Sequence, residues 1–310
     1  MIESHSGGGR PATAAMRPVT RIQPRKRPRE LEDALNYWLY HPLAWRLATV
    51  LARTPITPNM VSVLGAGFVV MAGVAYAQPG WPLPALIGMA LHMGWHVVDG
   101  ADGDLARITG RASPIGEMVD GICDYASHVV LYLILGWLLM HQIGWVAWPV
   151  VVIGGLSHIV QANHVESWRR AYAWWVYDVP WLSQSHAGEG AATRKGVLGG
   201  LAHAYLAVAA ATSSGIGRVD DAVAASDPAT RESLRIAALG EAPRLLKPLW
   251  ILGPNPRAIV LGLSMLAGSP LWYFVWQIVG LNLLMVRSIR RHEAVADRIL
   301  ALGVRPQTRC

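Results

Sequence analysis

Four aspartates lie close together in the sequence, at spacings that suit a metal site. Asp99 and Asp102 are three residues apart, and Asp120 and Asp124 are four apart. On α-helices, both spacings place the two side chains of a pair on one face. Carboxylates this close together repel one another, and the positive charge of a divalent cation removes the repulsion. Carboxylate oxygens are hard donors, which suit Mg²⁺, Mn²⁺ or Ca²⁺. Two such ions can hold a pyrophosphate group during an in-line displacement.

Residues beside the aspartates favour the approach of a nucleotide. Gly103, Ala106 and Gly116 lack bulk, so a ligand can come close to the helix backbone there. Arg107 offers a planar fork of N–H donors for phosphate oxygens. A single acid near a helix end is usually a solvated cap. Four aspartates in paired helical register beside long uncharged segments indicate a functional site instead.

The segments around this cluster lack charged side chains. No Asp, Glu, Lys or Arg occurs in residues 59–98, 125–165 or 258–286. One helix needs about 20 apolar residues to cross a bilayer, and Pro or Gly breaks each segment near its middle. The sequence therefore predicts an all-α integral membrane protein. Its six transmembrane helices are expected to start near Asn59, Pro82, Gly116, Gly144, Pro254 and Leu271.

The composition supports a membrane protein. Of the 310 residues, 53% are hydrophobic and 15% are charged, and the mean hydropathy is +0.30, whereas soluble domains carry about 25% charged residues. The chain has 27 Lys+Arg and 20 Asp+Glu. We interpret the excess of basic residues as setting the orientation of the protein in the membrane, and we expect no nucleic-acid partner. The breaks within the uncharged segments contain no Lys or Arg, whereas the termini and the other connecting segments contain these basic residues. The positive-inside rule therefore predicts that both termini and the aspartate cluster are cytoplasmic.

The domain organisation follows from these segments. We expect a disordered basic arm over residues 1–28 and an interfacial amphipathic helix over 29–54, interrupted by Pro42. The six-helix domain is expected over 55–292, with a helical cytoplasmic insertion at about 168–247 between spans four and five. A cytoplasmic tail over 293–310 completes the chain. The two cysteines suit neither a disulfide framework nor a zinc site.

The pattern Asp99-x2-Asp102-Gly103-x2-Ala106-Arg107-x8-Gly116-x3-Asp120-x3-Asp124 resembles the signature of the CDP-alcohol phosphotransferase family, also called CDP-alcohol phosphatidyltransferases. All eight fixed positions of that signature are present. The resemblance implies an integral membrane enzyme with six core helices, often a homodimer. Such enzymes move a phosphoalcohol group from a CDP-linked donor to a hydroxyl acceptor and release CMP.

The resemblance also implies roles for individual residues. Asp99, Asp102 and Asp120 would be metal ligands, and Asp124 would be both a ligand and the general base. Two divalent cations, Mg²⁺ or Mn²⁺, would be the cofactors. The residues expected at the CDP moiety are Asp102, Gly103, Ala106, Arg107, Ser113 and Gly116.

Three further residues are candidates for binding the acceptor. His128 lies one turn after Asp124 and could line the acceptor pocket, but a hydrogen-bonded helix–helix contact is the commoner role for a histidine at such a position. Arg169 and Arg170 follow the fourth predicted span, beside His158 and His164, and could receive an anionic acceptor such as a phosphorylated polyol. Alternatively, the two arginines are the basic residues that commonly lie at the cytoplasmic end of a membrane helix.

Several functions remain open at this level. The six predicted spans favour CDP-diacylglycerol as donor and a polar alcohol as acceptor, and the alternative is a CDP-headgroup donor with a lipid alcohol acceptor. A cation-coupled transporter would also hold acids at membrane depth, but it predicts internal repeats, and the sequence contains none that we could recognise. A catalytically inactive scaffold is the third alternative, and the intact signature argues against it.

Overall fold

The computed structural model describes residues 28–179 and 214–303, together with Thr212, and within these ranges every element is a helix. The disordered arm predicted over 1–28 lies almost wholly outside the described residues, as do the middle of the insertion and the last residues of the tail. In chain order the helices are α1 (His41–Leu51), α2 (Pro58–Tyr76), α3 (Leu83–Ile108), α4 (Pro114–Ile143), α5 (Ala147–Tyr177), α6 (Ser214–Ala225), α7 (Pro228–Trp250), α8 (Pro254–Leu266), α9 (Leu271–Val275) and α10 (Leu281–Gly303).

Four segments are long and apolar enough to cross a membrane: Pro58–Tyr76, Pro114–Tyr177, Pro228–Leu266 and Leu271–Gly303. The prediction of a helical membrane protein is therefore confirmed. Helices also begin near all six predicted positions. Helix α3 is not among the four segments, which reflects the histidines and aspartates that reduce its apolar character.

Local sequence explains where three of the helices start. Thr57, Ser113 and Asp227 precede α2, α4 and α7 in extended conformation, and each is followed by proline. Each side chain accepts a hydrogen bond from a backbone N–H of the first turn, which satisfies a donor that has no partner within the helix. Proline suits the first helical position because its missing N–H is not needed there.

The N-terminal segment forms a helix that packs on α3. A π-helical turn, Asn36–Tyr40, leads directly into α1, so Pro42 does not interrupt the helix as predicted. Ala44 and Ala48 of α1 are fully buried, and the methyl group of Ala44 lies against Gly100 of α3. The small residues on both helices allow this close contact. The interfacial location of residues 29–54 stays a prediction.

Helix α5 is longer than the sequence indicated. It continues through Trp168, where the insertion was expected to begin, and ends at Tyr177. Trp168 and Tyr172 are fully buried in a core formed with α6, α7 and α10. These aromatic side chains extend α5 into a second hydrophobic core, separate from the core among α2–α5, α8 and α9.

The close packing of α5 on α9 is testable at Gly154. A Cβ added there would lie 2.7 Å from Cδ1 of the Phe274 ring, whereas a Cβ at Gly67 of α2 meets nothing within 4 Å. We expect Gly154→Ala to destabilise the protein by about 1–3 kcal/mol and Gly67→Ala to leave stability unchanged or slightly raised. Thermal unfolding of the purified protein in detergent measures both. Equal melting temperatures for the two variants would contradict this packing.

A second prediction concerns the contact between α5 and α6. The indole Nε1 of Trp175 donates to Oδ1 of Asp220 at 2.6 Å, and burial raises the pKa of Asp220 from 3.8 to about 6. The folded state therefore favours the protonated carboxyl, and this stabilisation is lost as the pH rises through about 6. We expect Asp220→Asn to melt at a higher temperature than the native protein at pH 7.5, with the difference vanishing towards pH 4.5.

The neighbouring exposed residue Asp221 provides the control for this experiment. Asp221→Asn should differ from the native protein much less than Asp220→Asn does, because Asp221 is exposed and raises the pKa of Asp220 only through the repulsion between the two charges, a smaller cause than burial. A pH-independent difference between the native protein and Asp220→Asn would rule out the titration of Asp220 as its cause.

Candidate active site

The aspartates are positioned by the helical hairpin of α3 and α4. Helix α3 ends at Ile108, and α4 starts at Pro114 after a short turn in which Ser113 Oγ accepts a hydrogen bond from Gly116 N at 3.1 Å. Helix α2 packs against both members of the hairpin. The end of α3 and the beginning of α4 therefore face each other beside a third helix.

Three of the four aspartates meet at one point. Carboxylate oxygens of Asp99, Asp120 and Asp124 all lie within 4.8 Å of one another. Asp102 is outside this group of three, but its carboxyl group contacts that of Asp120, as the carboxyl group of Asp99 contacts that of Asp124. The predicted cluster is therefore assembled as a group of three with the fourth aspartate alongside.

This set of side chains fits a divalent cation chemically. The donors are all carboxylate oxygens, which Mg²⁺ and Mn²⁺ prefer. In the described part of the chain, none of the four aspartates forms a salt bridge with Lys, Arg or His. Adjacent carboxylates without basic partners repel one another, and a bound cation would supply the missing positive charge.

Two neutral side chains orient the aspartates. Ser62 Oγ of α2 donates to Asp102 Oδ2 at 2.5 Å, and the indole Nε1 of Trp95 donates to Asp124 Oδ1 at 3.3 Å. Neither residue was predicted to take part in the site. Trp95 could have been found, because it lies one helical turn before Asp99 on the same face of α3. Ser62 is 40 residues from its partner, and no local pattern links the two.

The residues expected at the nucleotide line the same end of the hairpin. A Cβ added to Gly103 would lie 3.5 Å from Nη1 of Arg107, and one added to Gly116 would lie 3.3 Å from Ser113 Oγ. Arg107 is exposed and forms a salt bridge with Asp104, one turn earlier. Ala106 is partly exposed on the same turn of α3.

The three candidate acceptor residues have different surroundings. His128 Nδ1 donates to the backbone carbonyl of Asp124 at 2.8 Å, and its ring lies 4.8 Å from that of Trp95. Arg169 donates to the backbone carbonyl of Leu31, and Arg170 pairs with Glu166 at 2.5 Å. His128 therefore lies beside the aspartates, whereas the described partners of both arginines are elsewhere.

Comparison with known proteins agrees with the geometry. Residues 55–177, which contain all four aspartates, match the family model described as CDP-alcohol phosphatidyltransferase. A curated relative, archaetidylinositol phosphate synthase from Aeropyrum pernix, is 31% identical over 99 residues; the match covers 29% of this chain and 47% of the relative, about half its length. Residues 55–177 are thus similar to a CDP-alcohol phosphatidyltransferase domain.

Proposed function

We propose that this protein is a membrane-embedded transferase of phospholipid synthesis. It moves a phosphatidyl group from a CDP-linked lipid to the hydroxyl group of an acceptor and releases CMP. The observation that carries this proposal is the meeting of Asp99, Asp120 and Asp124 within 4.8 Å, with Asp102 in contact with Asp120. The family assignment of residues 55–177 supports the same reaction class.

The roles of the chain's own residues follow from the chemistry. An alcohol is a poor nucleophile at neutral pH, so a positioned carboxylate must accept its proton as the new P–O bond forms. We assign this role to Asp124, whose Oδ1 is held by Trp95. The proton passes to Asp124 while the bond between the donor phosphorus and the CMP oxygen breaks.

Four aspartates would hold the cations: Asp99, Asp102, Asp120 and Asp124. When bound, Mg²⁺ or Mn²⁺ neutralises negative charge on the pyrophosphate and on the departing CMP. Gly103 and Gly116 leave space for the nucleotide beside the hairpin, and the exposed guanidinium of Arg107 is placed to contact a phosphate. Ala106 and Ser113 complete the expected nucleotide contacts.

The donor and the topology are part of the proposal. We assign CDP-diacylglycerol as the donor, because a lipid substrate can reach the hairpin from within the bilayer. The relative from Aeropyrum pernix is named as a synthase of archaetidylinositol phosphate, which is consistent with a lipid product. In our proposal six helices (α2, α3, α4, α5, α8 and the helix formed by α9 and α10) cross the membrane. Both termini and the aspartates are cytoplasmic, and two copies form a homodimer.

The general base is tested by Asp124→Asn. The amide keeps the shape of the side chain but cannot accept the proton, so we expect kcat to fall by about 10²–10⁴-fold. Release of CMP from CDP-diacylglycerol by the reconstituted protein, with a panel of hydroxyl acceptors and Mn²⁺ present, is the measurement. The exposed Asp221→Asn in α6 is the matched control. If Asp124→Asn keeps more than a tenth of the native rate, Asp124 is not the base.

The cation site is tested by binding as well as by activity. We expect Mn²⁺ to raise the melting temperature of the metal-free protein, since a ligand of the folded state stabilises it. Asp120→Asn should abolish this shift, because Asp120 belongs to the group of three and also contacts Asp102. Chelation should abolish CMP release, and added Mn²⁺ should restore it. A shift of native size in Asp120→Asn would place the cation elsewhere.

A further inference from the structure

One face of helix α10 changes from apolar to basic within a few residues. Leu283, Arg287 and Arg291 follow one another at intervals of four residues, and Arg290 lies on the same side of the helix. All four side chains are exposed. The opposite face of α10 is buried in the core formed with α5, α6 and α7. We call Arg287, Arg290 and Arg291 the basic band.

The basic band has no carboxylate partner in the described part of the chain, where none of its arginines forms a salt bridge. Arg257, buried in α8, has two side-chain partners, since its Nη2 donates to Oε1 of Gln161 at 3.0 Å and its Nε to Oε1 of Gln277 at 3.4 Å. The remaining arginines of α6, α7 and α10 all form salt bridges: Arg218 with Glu293 and Asp297, Arg231 with Asp178, Arg235 with Glu232, and both Arg244 and Arg298 with Glu241. The band therefore concentrates positive charge that the described residues leave uncompensated.

The basic band directly follows a surface that suits lipid. The segment Leu271–Gly303 is one of the four that are long and apolar enough to cross a membrane. Leu283, Leu284 and Val286 are exposed on α10 immediately before the band. Contiguous exposed apolar side chains of this kind mark a surface that contacts a membrane or another protein. On a membrane-spanning helix they face the acyl chains, so the band begins where the acyl region ends.

The length of the basic band matches the thickness of one headgroup layer. At about 1.5 Å per residue, Arg287 and Arg291 are about 6 Å apart along the helix axis. The polar region on each side of a bilayer is about 5–7 Å thick. The next charged residues of α10, Glu293 and Asp297, both pair with Arg218. The uncompensated charge is thus confined to the depth at which lipid phosphates would lie.

We propose that the basic band binds the phosphate groups of anionic phospholipids in the surrounding bilayer. The planar guanidinium group suits this role, because its N–H donors can contact two phosphate oxygens at once. Orientation in the membrane requires only that positive charge lies on one side. Binding requires more, namely that the anionic lipid stabilises the folded protein. The inference does not depend on the proposed transferase, since the band lies outside residues 55–177.

Melting temperatures in mixed micelles test this lipid site. In dodecyl maltoside with EDTA, added phosphatidylglycerol should raise the melting temperature of the native protein in a saturable way, and phosphatidylcholine should raise it much less. High salt should weaken the difference. The triple variant Arg287→Gln/Arg290→Gln/Arg291→Gln should need about 100-fold more phosphatidylglycerol for the same shift, because each arginine near an anionic surface strengthens binding about fivefold.

A second triple variant removes the same amount of charge elsewhere. Arg218→Gln/Arg231→Gln/Arg235→Gln replaces three exposed arginines whose charges are already paired with carboxylates. This variant should respond to phosphatidylglycerol like the native protein. Each shift is measured from the melting temperature of the same variant in phosphatidylcholine, so a difference in intrinsic stability between the variants is subtracted.

Glycerophosphoglycerol, the headgroup of phosphatidylglycerol without its acyl chains, distinguishes a membrane lipid from a free phosphate ester. We expect it to produce no shift at the concentration at which the lipid saturates. An equal shift with glycerophosphoglycerol would assign the band to a soluble anion and overturn the proposal. An equal loss of the shift in both triple variants, or equal effects of the two lipids on the native protein, would also overturn it.

Discussion

The mutual repulsion of closely placed carboxylates is the constraint on which this site depends. Three aspartates from two helices converge within 4.8 Å, and a fourth touches one of them, without a basic partner in the described ranges. Such a cluster is unfavourable while all the carboxylates are charged, and bound divalent cations would remove the repulsion. The packing of α2 on the α3–α4 hairpin holds the carboxylates together, and the hydrogen bonds from Ser62 and Trp95 fix two of them.

The local part of this arrangement could be predicted from the sequence. Helical periodicity places residues three or four positions apart on one face, so the pairing within α3 and within α4 follows from the spacing. A short connection makes the two helices antiparallel neighbours, which brings the pairs together. The all-helical class likewise follows from the uncharged segments, because only helices satisfy backbone groups over such lengths of apolar sequence.

Contacts between distant residues could not be predicted in this way. Arg257 meets Gln161 across 96 residues, and the sequence offered Arg169 and Arg170 as more obvious cations near the end of a span. Those two interact with a backbone carbonyl and with Glu166. The length of α5 was also missed, because Trp168 and Tyr172 are buried by α6 and α7, whose packing no local pattern reveals.

The hydrogen bonds of Arg257 with Gln161 and Gln277 have a consequence for the integrity of the helical bundle. Gln161 comes from the segment that matches the family, whereas Arg257 and Gln277 come from helices beyond it. The buried polar contacts of α5 are therefore completed by helices outside the matched segment. A fragment that ends with the matched segment would leave the amide of the buried Gln161 without these two partners, so its stability is expected to depend on the helices that follow.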